Sequence, residues 1–379
     1  MKKRTNRVFV GDFETTVYKG QVNTEVWASA SVEIGTEDVK IFHSIHEQFE
    51  YFVSLDCNVL CYYHNLKFDG SFWLSYLLLD RKFKQGYEEI DENTKKMKQP
   101  KDLHNGEVAY SISSIGQWYR IVIKTHSHII EFRYSLKLLP FSVKRIGESF
   151  GTKHKKLDME YRGVRYAGCT ITDEEKQYIA NDVLVVKEAL EIMFAEGHDK
   201  LTIGSCCLAE YKKSVGSKTY KGMFPNLYEI PIDAETYGSP NAGEYIKKSY
   251  HGGWCYLVKG KEKQIKRNGT TADVNSLYPS MMSSESGNWY PFKEPTFWSG
   301  DYITLEAMSA GHYYFVRFRT RFYLKPNKLP FIQIKNSLVY RATEMLETSD
   351  VLNIDTGEYC KEMIAINGDV VQTYVTLTM

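Results

Sequence analysis

At 379 residues, with 43% hydrophobic and 25% charged side chains, the chain has room for two or three domains with cores of their own. A net charge of +1 excludes recognition of a polyanion by global charge, so any nucleic-acid site must rest on local patches. No stretch approaches the roughly 18 uncharged apolar residues of a membrane span. The seven cysteines hold no second pair at zinc-finger spacing to match Cys57/Cys61 or Cys206/Cys207, so they read as reduced thiols of a cytoplasmic protein rather than a disulfide framework.

The N-terminus is basic and then apolar, as in a signal peptide, but its apolar run is short and contains Asp12 and Glu14. RVFVGDFETT (7–16) reads as a buried strand ending in carboxylates. NVLCYYHN (58–65) reads as a second apolar strand, with a buried helix over SFWLSYLLLD (71–80) directly after it. Residues 84–106 are polar and charged, an exposed loop or hairpin tip. GQWYRIVIKT (116–125) and HIIEFRYS (128–135) look like paired strands. Helical patterns follow at 142–150 and 173–197, the second opening on Thr172-Asp173-Glu174-Glu175, a capping sequence.

Strands alternating with helices predict a mixed α/β domain over 1–197. Residues 198–290 are less regular and are expected to carry short strands around 250–282. From His312 the pattern alternates like an exposed strand, within a third region over 291–379.

Three stretches of the first region place chemistry-bearing residues. Asp12 and Glu14, two apart on a strand, point to one face, as a strand would present two carboxylates to metal ions. In HNLKFDG (64–70) a short turn brings Asn65, Phe68 and Asp69 together. Phe68 could stack on a base, and Asn65 could bond a sugar or phosphate. In YIANDVLVV (178–186) Tyr178 and Asp182, four apart in a helix, share one face while Ile179, Val183 and Val186 line another. Each piece alone fits an ordinary strand end, helix N-cap or half-buried Tyr. Together, four carboxylates and a tyrosine form a set for two-metal hydrolysis of a phosphodiester with Mg²⁺ or Mn²⁺.

In this order the stretches resemble the exonuclease motifs of family B DNA polymerases, in the Tyr-bearing class of DnaQ-like 3′–5′ exonucleases. Within them they resemble the protein-primed subgroup of bacteriophages; HNLKFDG and PFSVKRI (140–146) are the most specific matches. The resemblance implies an RNase H-like exonuclease domain with a mixed sheet and flanking helices. It implies metal ligands at Asp12, Glu14, Asp69 and Asp182, with Tyr178 positioning the attacking water. Contacts to single-stranded DNA would come from Thr15, Asn65, Phe68, Ser135, Leu136 and Phe141. Lys156 would touch the scissile phosphate, with Lys153 and Lys155 in neighbouring registers.

The resemblance continues into an incomplete α+β polymerase palm. Tyr250, Gly252 and Gly253 match a Tyr-x-Gly-Gly element that binds the template strand. DVNSLYPSMM (273–282) matches the first polymerase motif, implying a metal at Asp273, triphosphate contacts from the Ser276–Leu277 backbone, and Tyr278 beneath the incoming sugar. The basic segment 259–267 is a phosphate patch or a solvated hairpin. The region around Arg317, Arg319 and Arg321 resembles the insertion that contacts a priming terminal protein. The family's lysine-rich helix and its Asp-Thr-Asp turn do not occur; Asp355 imitates the turn, but Gly357 stands where its second carboxylate belongs.

The expectation is therefore an exonuclease on 3′ ends of single-stranded or primer-template DNA, with no templated synthesis from this chain alone. Two alternatives stand beside it. One is a subunit of a split polymerase, completed by a second chain carrying the missing motifs. The other is a non-catalytic module binding single-stranded DNA or a terminal protein.

Overall fold

The computed structural model describes residues 6–91, 94–126, 128–159, 164–250 and 263–299, with the strand segments 313–320, 323–324, 350–352, 359–362 and 371–378. The chain divides into two compact units, Met1–Ser214 and Val215–Met379.

The first unit is built on strand β1 (Asn6–Thr15), whose period-two pattern sends Val8 and Val10 to one face and Phe9 and Phe13 to the other. β2 (Val26–Glu33) pairs antiparallel with it, the register shifting at a bulge between Glu14 and Thr15, and β3 (Val39–Phe42) pairs with β2. Helix α1 (Ile45–Ser54) is capped by the Ser44 hydroxyl, which accepts from the Glu47 amide at 3.2 Å. After β4 (Asn58–Tyr63) comes α2 (Leu66–Ser75), extended by a π-helical turn over Tyr76–Asp80. The helix thus starts earlier than its apolar run predicts, and Phe68 and Asp69 lie in its first turn rather than in a turn before it.

The charged stretch that follows holds β5 (Lys84–Gln85) and an antiparallel hairpin of β6 (Tyr87–Asp91) and β7 (Thr94–Met97). β8 (Glu107–Ile112), β9 (Trp118–Lys124) and β10 (Ile129–Tyr134) pair antiparallel in turn, as the two apolar runs predict for β9 and β10. Helices α3 (Val143–Ser149) and α4 (Asp173–Ala195) follow, and α5 (Ile203–Val215) runs to the boundary of the unit. α4 opens on the predicted capping box: the Thr172 hydroxyl accepts from the Glu175 amide at 3.3 Å, and the Glu175 carboxylate accepts from the Thr172 amide at 2.9 Å.

The eight-stranded mixed sheet runs β3-β2-β1-β4-β10-β9-β8-β5, with β1, β4 and β10 mutually parallel at its centre. One face packs under α4 and α3 through Val10, Ala28, Ala30, Ile146, Ile179, Val183 and Val186. The other packs under α1 and α2 in an aromatic cluster where Trp73 stacks on Phe132 with centroids 4.4 Å apart. Truncating a buried Trp of this kind to Ala costs about 3–5 kcal/mol.

The second unit, described by itself, holds the short helices α6 (Ser217–Met223), α7 (Ala234–Tyr237), α8 (Ala242–Lys248) and α9 (Leu277–Met282). Of the stretch around 250–282 expected to carry short strands, 251–262 lies outside the described residues, and 263–282 holds no strand, 277–282 being helical instead. β11 (Tyr313–Thr320) is the strand its alternation predicts. β12 (Tyr323–Leu324), β13 (Asp350–Leu352) and β14 (Tyr359–Glu362) form a small sheet, and β15 (Val371–Thr378) pairs antiparallel with β11. No helix among the described residues is long and apolar enough to cross a membrane.

Candidate active site

Because β1, β4 and β10 run parallel, their C-terminal ends share one edge of the sheet, where α/β proteins commonly place their ligands. Gly11, Tyr63 and Tyr134 are in register, so the next residue of each strand or its extension is Asp12, His64 and Ser135. Gly11 makes this close: a Cβ there would sit 2.8 Å from the Tyr63 ring.

Asp12 and Glu14 follow Val8 and Val10 onto the α4 face, and α4 brings Asp182 down onto it. The three residues offer carboxylate oxygens that all lie within 4.8 Å of one another. Asp69 joins from the first turn of α2; it is 2% exposed, and its Oδ2 lacks a hydrogen-bond partner, as does Asp182 Oδ1. α2 can lie flat enough to seat it because Gly70 rests on Trp118, whose ring a Cβ would approach to 2.8 Å.

Burial drives the Asp12 carboxyl well above its ordinary pKa, and Asp69, Glu14 and Asp182 push the same way against a smaller opposing pull from Lys156. Burial and Glu14 raise Asp69 to about 8, although the Asp69 and Asn65 amides favour its ionised form. Burial also raises Asp182, offset by Lys156. Acidic oxygens crowded this way, two of them buried and orphaned, fit a divalent cation, and an all-oxygen donor set suits Mg²⁺ or Mn²⁺.

Lys156 completes the group. Its ammonium donates to Asp182 Oδ2 and, at 2.7 Å, to the Tyr178 hydroxyl, lying 4.3 Å from that ring's centroid. Burial alone would depress its pKa, but the bonds to Asp182 and Tyr178 outweigh this and raise it. Lys153 instead pairs with Glu37 and Lys155 reaches the Gly147 carbonyl, which separates the three lysine registers. Burial raises the Tyr178 pKa, so its hydroxyl is a neutral phenol.

Asn65 caps α2 with its backbone and leaves its exposed side chain off the helix amides. Phe68 is 43% exposed and braced edge-on by Phe72, centroids 5.2 Å apart. Thr15 stands at the β1 bulge. Leu136 is half-buried against the aromatic core, and Phe141 is exposed under the Arg145 guanidinium at 5.0 Å. Ser135 is fully buried, its hydroxyl 3.0 Å from His64 Nδ1.

His64 is the residue sequence reasoning missed. Its Nε2–H donates to the Phe141 carbonyl at 2.7 Å, so Nδ1 accepts from Ser135 in a neutral ring whose pKa burial lowers. The signal was its position next to Asn65, but its partners lie 71 and 77 residues away.

In the second unit Tyr250, Asp273, Leu277 and Tyr278 are exposed, and Ser276 adopts a left-handed φ of 53° at the start of α9. Gly252, Gly253, Arg321, Asp355 and residues 259–262 lie outside the described residues.

A mixed α/β unit thus gathers a carboxylate cluster at the C-terminal ends of its parallel strands. A family model described as DNA polymerase type B, organellar and viral, matches residues 165–355, and the chain belongs to that family. The DNA polymerase of Bacillus phage Nf is 35% identical over 357 residues, 92% of this chain and 55% of that protein. The DNA polymerase of Bacillus phage phi29 is 33% identical over 359 residues, 92% of this chain and 56% of that one. Phi29 DNA polymerase complexed with primer-template DNA and incoming nucleotide substrates matches in structure at a TM-score of 0.67 and 27% identity, covering 99% of this chain and 57% of that chain. The complex of phi29 DNA polymerase with single-stranded DNA gives a TM-score of 0.65 at 27% identity, covering 98% of this chain and 56% of that chain. The chain thus spans little more than half the length of these relatives.

Proposed function

We propose that the first unit is an RNase H-like, DnaQ-like 3′–5′ exonuclease acting on single-stranded DNA ends, within the N-terminal part of a protein-primed phage DNA polymerase. The observation that carries this reading is the convergence of Asp12, Glu14 and Asp182 within 4.8 Å, beside the orphaned Asp69 oxygen and the Lys156–Tyr178 pair. Two divalent ions bound by Asp12, Glu14, Asp69 and Asp182 would supply an activated water and stabilise the leaving 3′ oxygen.

The chain's own residues do the remainder. Lys156 donates to the Tyr178 oxygen, so the phenol's own proton is directed elsewhere and can orient a water. The Lys156 ammonium is held charged, ready for a scissile phosphate. Phe68 offers a sequence-blind stacking surface worth about 1–3 kcal/mol per base. Asn65, Thr15, Leu136 and Phe141 line the approach of the strand, with Ser135 acting through His64. The DNA partners are those of the solved phi29 complexes, single-stranded and primer-template.

For the second unit the reading is a partial palm. Asp273 would hold a metal, the Ser276–Leu277 backbone a triphosphate, Tyr278 the incoming sugar, and Tyr250, Gly252 and Gly253 the template. The region after 291 would meet a terminal protein.

The test is digestion of a 5′-labelled single-stranded oligonucleotide with Mg²⁺ or Mn²⁺, comparing wild type with the Asp12→Ala/Asp69→Ala variant. A ladder shortening from the 3′ end, lost in the variant, is the expected result. DNA binding without digestion by folded wild type would overturn the reading.

A further inference from the structure

Lys156 sits in a segment of irregular chain between α3 and α4, yet its ammonium meets two side chains of α4. A long lysine side chain on a free loop would lose much of that geometry to rotamer and backbone entropy. Something must hold the loop, and the three residues 154, 155 and 156 show what does.

His154 Nδ1 lies 2.5 Å from Glu188 Oε1, and the His154 amide donates to Glu188 Oε2 at 3.3 Å. Asn181 Nδ2 donates to the Lys155 carbonyl at 3.0 Å. On the other side the Thr152 hydroxyl donates to the His154 carbonyl at 2.7 Å, and Lys155 Nζ donates to the Gly147 carbonyl at 2.6 Å. Asn181 and Glu188 are seven apart, so they share one stripe of α4, beside the stripe that carries Tyr178 and Asp182. The loop therefore lies across α4, each successive residue fastened to the helix. The His154–Glu188 pair is partly buried, with side-chain exposures of 23% and 15%, which shields it from water competition.

We propose that His154 and Glu188 are positioning residues: their hydrogen bonds lock the loop onto α4 and so fix Lys156 over Asp182 and Tyr178. The assignment rests on the exonuclease reading for its consequence, but the geometry can be read without activity. Among the described residues the hydrogen bonds of His154 and Glu188 run to each other and to Thr152 rather than to Asp12, Glu14, Asp69 or Asp182, so their effect reaches the site through the loop that carries Lys156.

Two measurements on the full chain test this. The first is single-turnover digestion of a 3′ end by His154→Ala and Glu188→Ala, each in wild-type and Lys156→Ala backgrounds. Each single variant should slow the rate about tenfold, with binding of the oligonucleotide unchanged, and neither should slow it further once Lys156 is gone. Equal fractional losses in both backgrounds would show a merely structural role and overturn the proposal, as would a wild-type rate for Glu188→Ala. His154→Gln, which keeps a side-chain donor for Glu188, should recover much of the rate.

The second measurement is amine acylation by acetic anhydride, read at Lys156 by peptide mass spectrometry. Lys156 should label slowly in wild type and severalfold faster in Glu188→Ala and His154→Ala, whereas Lys137 should label equally in all three. No change at Lys156 in folded variants would sink the positioning role. If wild type fails to digest DNA at all, the exonuclease reading falls while the labelling still decides the latch.

Discussion

His64 donates its Nε2 proton to the carbonyl oxygen of Phe141 at 2.7 Å, fastening the end of β4 to the segment that carries an exposed aromatic. Two hydrogen bonds of about 0.5–1.5 kcal/mol each hold this arrangement, counting the one to Ser135. His64→Ala should weaken binding of single-stranded DNA about tenfold, measured by fluorescence anisotropy in EDTA. His64→Gln, able to donate and accept at similar positions, should bind nearly as wild type. Because burial lowers the folded pKa below the unfolded value of about 6.5, the neutral ring contributes stability fully above that value. That contribution is lost as pH falls through the folded pKa. Melting temperatures of wild type and His64→Gln should therefore diverge on acidification; parallel curves would count against a buried neutral His64.

Asp69 has the opposite sign. Its folded pKa is about 8 and its unfolded value about 3.9. The folded state therefore holds the extra proton between them, and stability without metal falls as pH rises through about 8. In EDTA the melting temperature of wild type relative to Asp69→Asn should decline from pH 5 to about 8.5. Mg²⁺ or Mn²⁺ should reverse the decline in wild type, because cation binding displaces the proton, and should act much less on the variant. A pH-independent difference between the two proteins would refute this.

Much of this chemistry is legible in the sequence because it follows short periods. Asp12 and Glu14 share a face by strand alternation, Tyr178 and Asp182 by the helical turn, and the Thr172–Glu175 box is local. What the sequence hides depends on pairing across distance. The middle of β2 is written in Ala and Ser, of which Ala28 and Ala30 fit under α4, and these small residues give a weak strand signal. His64 gains its role from the β4–β10 register, and Lys156 is separated from Lys153 and Lys155 only by what each meets in space. The start of α2 is obscured because its first turn carries Lys67 and Asp69, so the apolar run begins late.

Phe68 should behave as a surface residue for stability and as an anchor for DNA. Phe68→Ala should weaken oligonucleotide binding by about 1–3 kcal/mol, roughly 5- to 150-fold, while shifting stability by no more than about 0.5 kcal/mol. Anisotropy titrations beside urea melts would check both. Phe68→Trp should bind at least as well, and a loss equal to that of Ala would exclude stacking.

Gly70→Ala should be damaging although it lengthens the side chain by one methyl. The new Cβ meets the Trp118 ring at 2.8 Å and the Ile121 side chain at 3.3 Å, so α2 must lift from the sheet. Overpacking of this kind costs about 1–3 kcal/mol, and the lift carries Asp69 away from Asp12 and Glu14. Urea denaturation should show the loss of stability. Isothermal titration with Mn²⁺ should show weakened binding even at temperatures where the variant is fully folded.

The eight-stranded sheet ends in two residues of β5 on one side and four of β3 on the other, where Lys40 is paired with Asp38. Such stubs give an incoming chain little backbone to zip onto, and a charge to desolvate if it tries. A unit with this much apolar aromatic content would otherwise be prone to strand-by-strand aggregation while neighbours are still folding. The short borders make its sheet a poor seed for that growth.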